Sequence, residues 1–431
     1  MSIGLIWFQN NLRIEDNLAL AEACKENDQA IAIYFFDPRQ FEFTEFGFKK
    51  TGKFRAKFLI ETVTELKENL TSLNIPLFIY QEKPEHYLPQ FLQEHNISNV
   101  YLQKEWTSEE QKIITKVKKE VSEAIQFKEF YDQFLFHPED IPYSNFNEIP
   151  KVFTEFRKKC EAKVSVRKCS PPPQPLNTEN FDLKNNSEIP NLKDLGFEEF
   201  AQNSRTAFPF KGGENQAKKR IKQYFWETRN LAKYKQTRNG LIGEAYSSKL
   251  SAWLANGSIS AKQVYWEVKK FEKEITKNQD TYWLIFELIW RDYFKFISLK
   301  HGNKIFKISG ILEKELDWNK DEKARENWIN GETKEPFVNA NMKELAATGF
   351  MSNRGRQNVA SYWAKELKQD WRVGAAYFES LLIDYDVHSN WGNWMYNSGV
   401  GNDPRDRKFN IKRQAERYDP DQKFQNLWLK E

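Results

Sequence analysis

Residues 382–401 read LIDYDVHSNWGNWMYNSGVG. Asp384 and Asp386 stand two apart, and His388, Asn390, Trp391 and Trp394 follow. The stretch offers no obvious nucleophile and no metal-ligand spacing, and no metal site is expected. What it concentrates is carboxylate, amide and indole. A second group lies at 246–260, YSSKLSAWLANGSIS, where Ser247, Ser248 and Ser251 surround Lys249 and Leu250. Serines are favoured helix N-caps, so capping is the ordinary explanation. Free N–H groups, hydroxyls and a lysine at a helix start also suit a phosphate or pyrophosphate.

A third group is Glu287, Trp290 and Arg291 in FELIWRDYF, whose spacings of three and four place them on one helix face. The flanking residues are too apolar for a solvated ion-pair edge, so these side chains are expected to line a cavity. Burial there would raise the pKa of Glu287 and fit it to exchange a proton or hydrogen bond with a substrate. In FMSNRGRQN (350–358), Asn353, Arg354, Arg356 and Gln357 present amides and guanidinium groups. They either decorate a capped helix start or face a carboxylate or phosphate. Trp318, Trp371 and Trp394 fall on separate elements. Spacing cannot bring them together, and core packing is the default for each.

The elements that must position these groups fall into two halves. A chain of 431 residues exceeds the usual size of one core, so two domains are expected. With 40% hydrophobic and 29% charged residues it is globular, and 15% of it is aromatic. The net charge of +4 is small and does not by itself argue for a nucleic-acid partner. Cys24, Cys160 and Cys169 make no disulfide framework, which suits a reducing, cytoplasmic setting. The N-terminus lacks a basic leader, no apolar run approaches a membrane span, and no membrane partner is expected.

Apolar runs at 3–8, 30–36, 76–80, 99–103 and 124–130 alternate with helical patterns such as 53–73. This predicts a doubly wound parallel sheet. The turn after the first strand, FQNNLRIEDN, has no glycine, so the dinucleotide fingerprint is missing, and no phosphate loop occurs elsewhere. A connector rich in Pro, Asn and Ser follows, and from about 201 the helical period takes over, with 212–234 and 355–371 among the stretches that suit helices. The expected division is an α/β domain (1–137), a connector (138–200) and an all-helical domain (201–431).

Taken together, several long motifs in order resemble the photolyase/cryptochrome family and, within it, the cryptochrome DASH branch. They run from IWFQNNLRIEDNLAL through YKQTRNGLIGEAYSSKLSAWLANGSIS and TYWLIFELIWRDYFKF to KELAATGFMSNRGRQNVASY and DYDVHSNWGNWMYNSGVGNDPR. The resemblance covers nearly the whole chain and is weakest at 138–200.

It implies FAD in the helical domain. The 247–251 loop then resembles the diphosphate cradle with Tyr234 nearby, and Asn353, Arg356, Asp384 and Asp386 resemble the flavin and ribityl contacts. Asn390 matches the residue beside the flavin N5. Trp394, Trp371 and Trp318 match the inner, middle and surface members of the family's electron chain, and Trp391 is left as packing. The implied reaction is light-driven splitting of cyclobutane pyrimidine dimers. Glu287 and Trp290 would meet the dimer, while Arg238, Arg291 and Arg354 would meet phosphates or the pocket rim.

Gln357 stands where duplex-repairing photolyases usually carry Met, and Phe350 where they carry Trp. The expected partner is therefore single-stranded DNA. A folate antenna, methenyltetrahydrofolate, is implied between the domains, with Glu105 as its acidic contact. Gln9 and Asn11 replace the usual Arg and Asp and are expected to pair as neutral groups. The alternative is a blue-light receptor of the same fold. Such receptors often carry a long C-terminal extension, and the end of this chain soon after the family core favours the enzyme. A monomer is expected.

Overall fold

The computed structural model describes residues 2–181, 185 and 187–430. Five short, nearly continuous apolar runs become β1 (Ile3–Trp7), β2 (Gln29–Phe35), β3 (Leu77–Tyr80), β4 (Asn99–Gln103) and β5 (Gln126–Phe130). They form one sheet in the order β3-β2-β1-β4-β5, with every pairing parallel. A parallel sheet needs helices on both faces, and that is why its strands read as apolar runs rather than alternating ones. Ile6, Ala30 and Ala32 pack on one side against α1 (Leu18–Glu26) and α2 (Lys53–Thr71). Leu5, Trp7, Ile31 and Ile33 pack on the other against α3 (Pro84–Glu94) and α4 (Ser108–Glu120).

The glycine-free turn after β1 holds the two halves together. Arg13, fully buried, donates to the carbonyls of Asp16, Asp132 and, at 3.0 Å, Gly257. Asp16 meets Lys262 at 2.8 Å and accepts from the Ser260 hydroxyl. In the same turn the expected neutral pairing of Gln9 with Asn11 is not realised between side chains. The Asn11 side-chain oxygen Oδ1 accepts from the Gln9 backbone N–H, and Gln9 Oε1 has no partner among the described residues.

The connector is not a passive tether. Its α5 (Phe153–Lys163) buries Phe153, Phe156 and Cys160 in the helical core. Farther along, Asn180 bonds the backbone of Ala30 in β2. Residues 182–184 and 186 of the connector lie outside the described ones. All three cysteines are free.

The helical half comprises α6 (Glu214–Ile221), α7 (Tyr234–Thr237), α8 (Ser251–Asn256), α9 (Ala261–Glu274), α10 (Gln279–His301), α11 (Glu322–Asn330) and α12 (Pro336–Thr348). It ends with α13 (Asn353–Ser361), α14 (Trp371–Leu381), α15 (Val387–Ser398), α16 (Ile411–Tyr418) and α17 (Lys423–Leu429). At its centre α10 runs 23 residues from an Asn278–Thr281 capping box.

Two of the stretches that suit helices are interrupted. Lys222–Glu227 and Tyr362–Glu366 widen into π-helical turns, closed by Thr228 N to Gln223 O and Leu367 N to Tyr362 O. Arg229 and Lys368 then leave the helical region at φ 52°. Asp370 caps a fresh helix by accepting from Arg372 N, so Trp371 opens α14 rather than closing α13. Among the described residues, no helix is long and apolar enough to cross a membrane.

Candidate functional site

A cavity of about 520 Å³ opens between α7, α8, α10, α13 and α15. It is lined by Tyr234, Arg238, Ser248, Leu250, Ser251, Glu287, Trp290, Arg291, Asn353, Arg354, Arg356, Gln357, Asp384 and Asp386. Most of the residues singled out in the sequence thus converge, although they come from five segments of the chain.

The serine loop does not cap α8. Leu250 occupies the cap position, and no side-chain cap bond forms. Ser248 and Ser251 line the cavity, and their hydroxyls have no side-chain or backbone partner among the described residues. Ser247 stands back from the wall, and its carbonyl accepts from Arg220 at 3.0 Å. Lys249 turns away, at φ 62°, and is buried over the rings of Tyr246 and Phe350. Burial lowers its pKa, which Glu344 partly offsets. Burial likewise pushes the Glu344 carboxyl up to about 8.

On the facing wall Arg356 bonds both oxygens of Asp384 at 2.9 Å and the Met351 carbonyl. Asp386 caps α15 by accepting from Ser389 N at 2.7 Å and pairs with buried Lys295 at 3.0 Å. Burial alone would raise its pKa, but Lys295, His388 and Arg291 hold it well below the usual carboxylate range. Asn390 lies behind this wall, its amide donating to the Ala375 carbonyl.

At the mouth Glu287 meets Arg238 at 2.7 Å. Burial raises the Glu287 pKa, and Arg238 opposes the rise. Trp290 is stacked on Phe153 at 3.6 Å and 10°, with Tyr396 edge-on at 5.9 Å, so a connector residue backs this wall. Arg354 bonds Gln357 and Asn239. Arg291 lines the cavity, but its guanidinium is taken by the carbonyls of Gln133 and Leu254. It ties the two halves together from a place on the cavity wall, in keeping with the rim position expected as one of its two alternatives. Sequence reasoning missed Tyr396, Asn397, Arg407 and Phe409, which also line the cavity. Tyr396 and Asn397 continue the α15 face begun by Ser389 and Asn393 at spacings of three and four.

The tryptophans are only partly brought together. Trp394 sits against α14 where Gly374 has no side chain and packs edge-on to Phe378 at 5.0 Å. Trp371 is fully buried and donates to the Ile308 carbonyl. Trp391 stands edge-on to it at 5.7 Å. Trp318 is half-buried before α11.

A second cavity, about 770 Å³, lies between the sheet and the helices. Glu105 lines it, fully buried, with burial pushing its carboxyl up to about 7. Asp386 and Arg291 line both cavities.

The first cavity fits a dinucleotide. Ser248, Ser251 and Asn353 line it, their hydroxyls and amide without a side-chain or backbone partner among the described residues, and Arg354 Nε is buried and unpaired. Such groups match phosphates and the polar edge of a heterocycle. Among the described residues, no His, Cys, Asp and Glu cluster could hold a metal.

A parallel-sheet domain docked on a helical half with such a cavity is the build of the flavin-binding photolyases. Residues 4–176 match the DNA photolyase family, and residues 283–431 match the FAD-binding domain of DNA photolyase. A cryptochrome DASH from Gloeobacter violaceus is 45% identical over 429 residues, 99% of this chain and 85% of that one. A solved cryptochrome from Synechocystis superposes with a TM-score of 0.95 at 44% identity, covering 100% of this chain and 89% of that one. An archaeal photolyase from Sulfolobus tokodaii, solved with two FAD molecules, gives 0.79 at 26% identity over 100% and 90%. The chain belongs to the photolyase/cryptochrome family and, within it, to the cryptochrome DASH branch. It carries that family's FAD-binding domain.

Proposed function

We propose that this protein repairs cyclobutane pyrimidine dimers in single-stranded DNA under blue light. The Arg238–Glu287 pair at the cavity mouth, beside Trp290, carries this reading. When bound, reduced FAD supplies the electron that light releases to the dimer. Ser248, Ser251 and Tyr234 would hold the diphosphate side, and Asn353, Arg356, Asp384 and Asp386 the flavin side. Asn390, whose amide bonds the Ala375 carbonyl of α14, would influence that side from behind the wall.

Glu287 presents a carboxyl to the carbonyl edge of the flipped bases, while Arg238 fixes its direction. Trp290, braced by Phe153, offers a flat apolar wall, and Arg354 and Gln357 offer donors at the rim. A polar rim holds an unstacked dimer loosely, so single strands, which need no unpairing, are favoured. Trp394, Trp371 and Trp318 would return the flavin to its reduced state by passing electrons inward.

The second cavity suits a folate antenna against Glu105, as the resemblance implies. The solved Sulfolobus photolyase was likewise described as implicating a light-harvesting cofactor. The same reading takes 1–137 as antenna domain, 201–431 as catalytic domain and the monomer as the working unit. The test is illumination of the flavin-loaded protein with thymine dimers in single-stranded and duplex oligonucleotides. Faster loss in single strands supports the proposal, while intact dimers beside a photoreduced flavin favour the receptor.

A further inference from the structure

Trp391 interrupts the expected series of indoles. It stands edge-on to Trp371 at 5.7 Å and donates its indole N–H to the Tyr385 hydroxyl at 3.2 Å. Trp391, Tyr385 and Glu379 all line the second cavity. The contacts therefore run unbroken from the buried middle indole to a cavity wall.

We propose that Trp391 and Tyr385 form a side branch that carries oxidising equivalents from Trp371 to the cavity between sheet and helices. This rests on the reading of Trp394 and Trp371 as electron donors to the light-excited oxidised flavin. Once Trp371 has given up an electron, Trp391 restores it and is itself one electron short. Tyr385 then passes one electron to Trp391 and its phenolic proton to the Glu379 carboxylate. The net change is a neutral tyrosyl radical, a protonated Glu379 and two intact indoles.

The surroundings favour that outcome. The Arg55 guanidinium lies over the Tyr385 ring at 4.7 Å, so a cation radical on the ring is disfavoured and oxidation must release the proton. Glu379 is buried, which strengthens it as a base, although Lys50 and Arg55 offset this. The branch ends at the wall of that cavity, where a small soluble reductant of the thiol class would refill Tyr385 in protein free of the antenna.

The test is electron paramagnetic resonance of the full-length, flavin-loaded protein, illuminated without DNA and frozen, alongside Trp391→Phe, Tyr385→Phe and Trp318→Phe. The branch predicts a tyrosyl signal that disappears in Trp391→Phe and Tyr385→Phe and persists in Trp318→Phe. A signal from tryptophan alone, abolished by Trp318→Phe and untouched by the other two, overturns the branch while leaving the indole chain standing. No protein radical in any of the four overturns both. Bound flavin measured in each variant separates loss of the branch from loss of the cofactor.

Discussion

Arg238 and Glu287 meet at 2.7 Å between α7 and α10, at the mouth of a cavity whose far wall is the Arg356–Asp384 pair. The carboxylate is thus held in one orientation while burial keeps it easy to protonate. Glu287→Gln keeps the shape and removes the charge. The expected result is unchanged flavin content with dimer repair slowed about 10- to 100-fold, the worth of one hydrogen bond to a charged group. Single-turnover loss of dimers reads this directly.

Gly374 is glycine because Trp394 occupies the space a side chain would need. Gly374→Ala forces the indole or α14 to move, a typical overpacking cost of about 1–3 kcal/mol. The melting temperature of the flavin-free protein should fall accordingly. An unchanged melting temperature would mean that α14 yields without cost.

Arg356→Leu strands a buried carboxylate on Asp384. Breaking a buried pair in this way costs roughly 3–5 kcal/mol. Adding Asp384→Asn to Arg356→Leu should recover part of the loss, and a double-mutant cycle by urea denaturation measures how much.

Glu105 gives a pH signature. Its folded pKa of about 7 lies above the ordinary 4.5, so the folded protein holds a proton the unfolded chain has released. Stability therefore falls as pH rises across that window, by about 3 kcal/mol at most. Glu105→Gln removes the penalty. It should raise the melting temperature at pH 8.5 and leave it nearly unchanged at pH 5, because wild-type Glu105 is already protonated there.

The sheet was legible because parallel strands buried on both faces leave uninterrupted apolar runs, and all five fell where those runs predicted. The cavity was legible in pieces. Glu287, Trp290 and Arg356 stood out through residue type and helical spacing, yet nothing local joins α10 to α13. Their convergence came from family resemblance rather than periodicity. Three features could not be read. The π-helical turns contain no breaker residue, and Tyr224 and Trp363 within them are buried in the helical core. The Arg291 bonds could not, because the carbonyls of Gln133 and Leu254 are backbone atoms far away in sequence. The contact of Trp391 with Trp371 could not, because Trp371 begins a separate helix, 20 residues earlier.

The most direct test is to purify the protein, record its visible spectrum, and illuminate it under reducing conditions with thymine dimers in a single-stranded oligonucleotide. A flavin spectrum with light-dependent loss of dimers, abolished in darkness and slowed in Glu287→Gln, is the predicted result. Bound flavin that photoreduces while the dimers persist would contradict the repair reading.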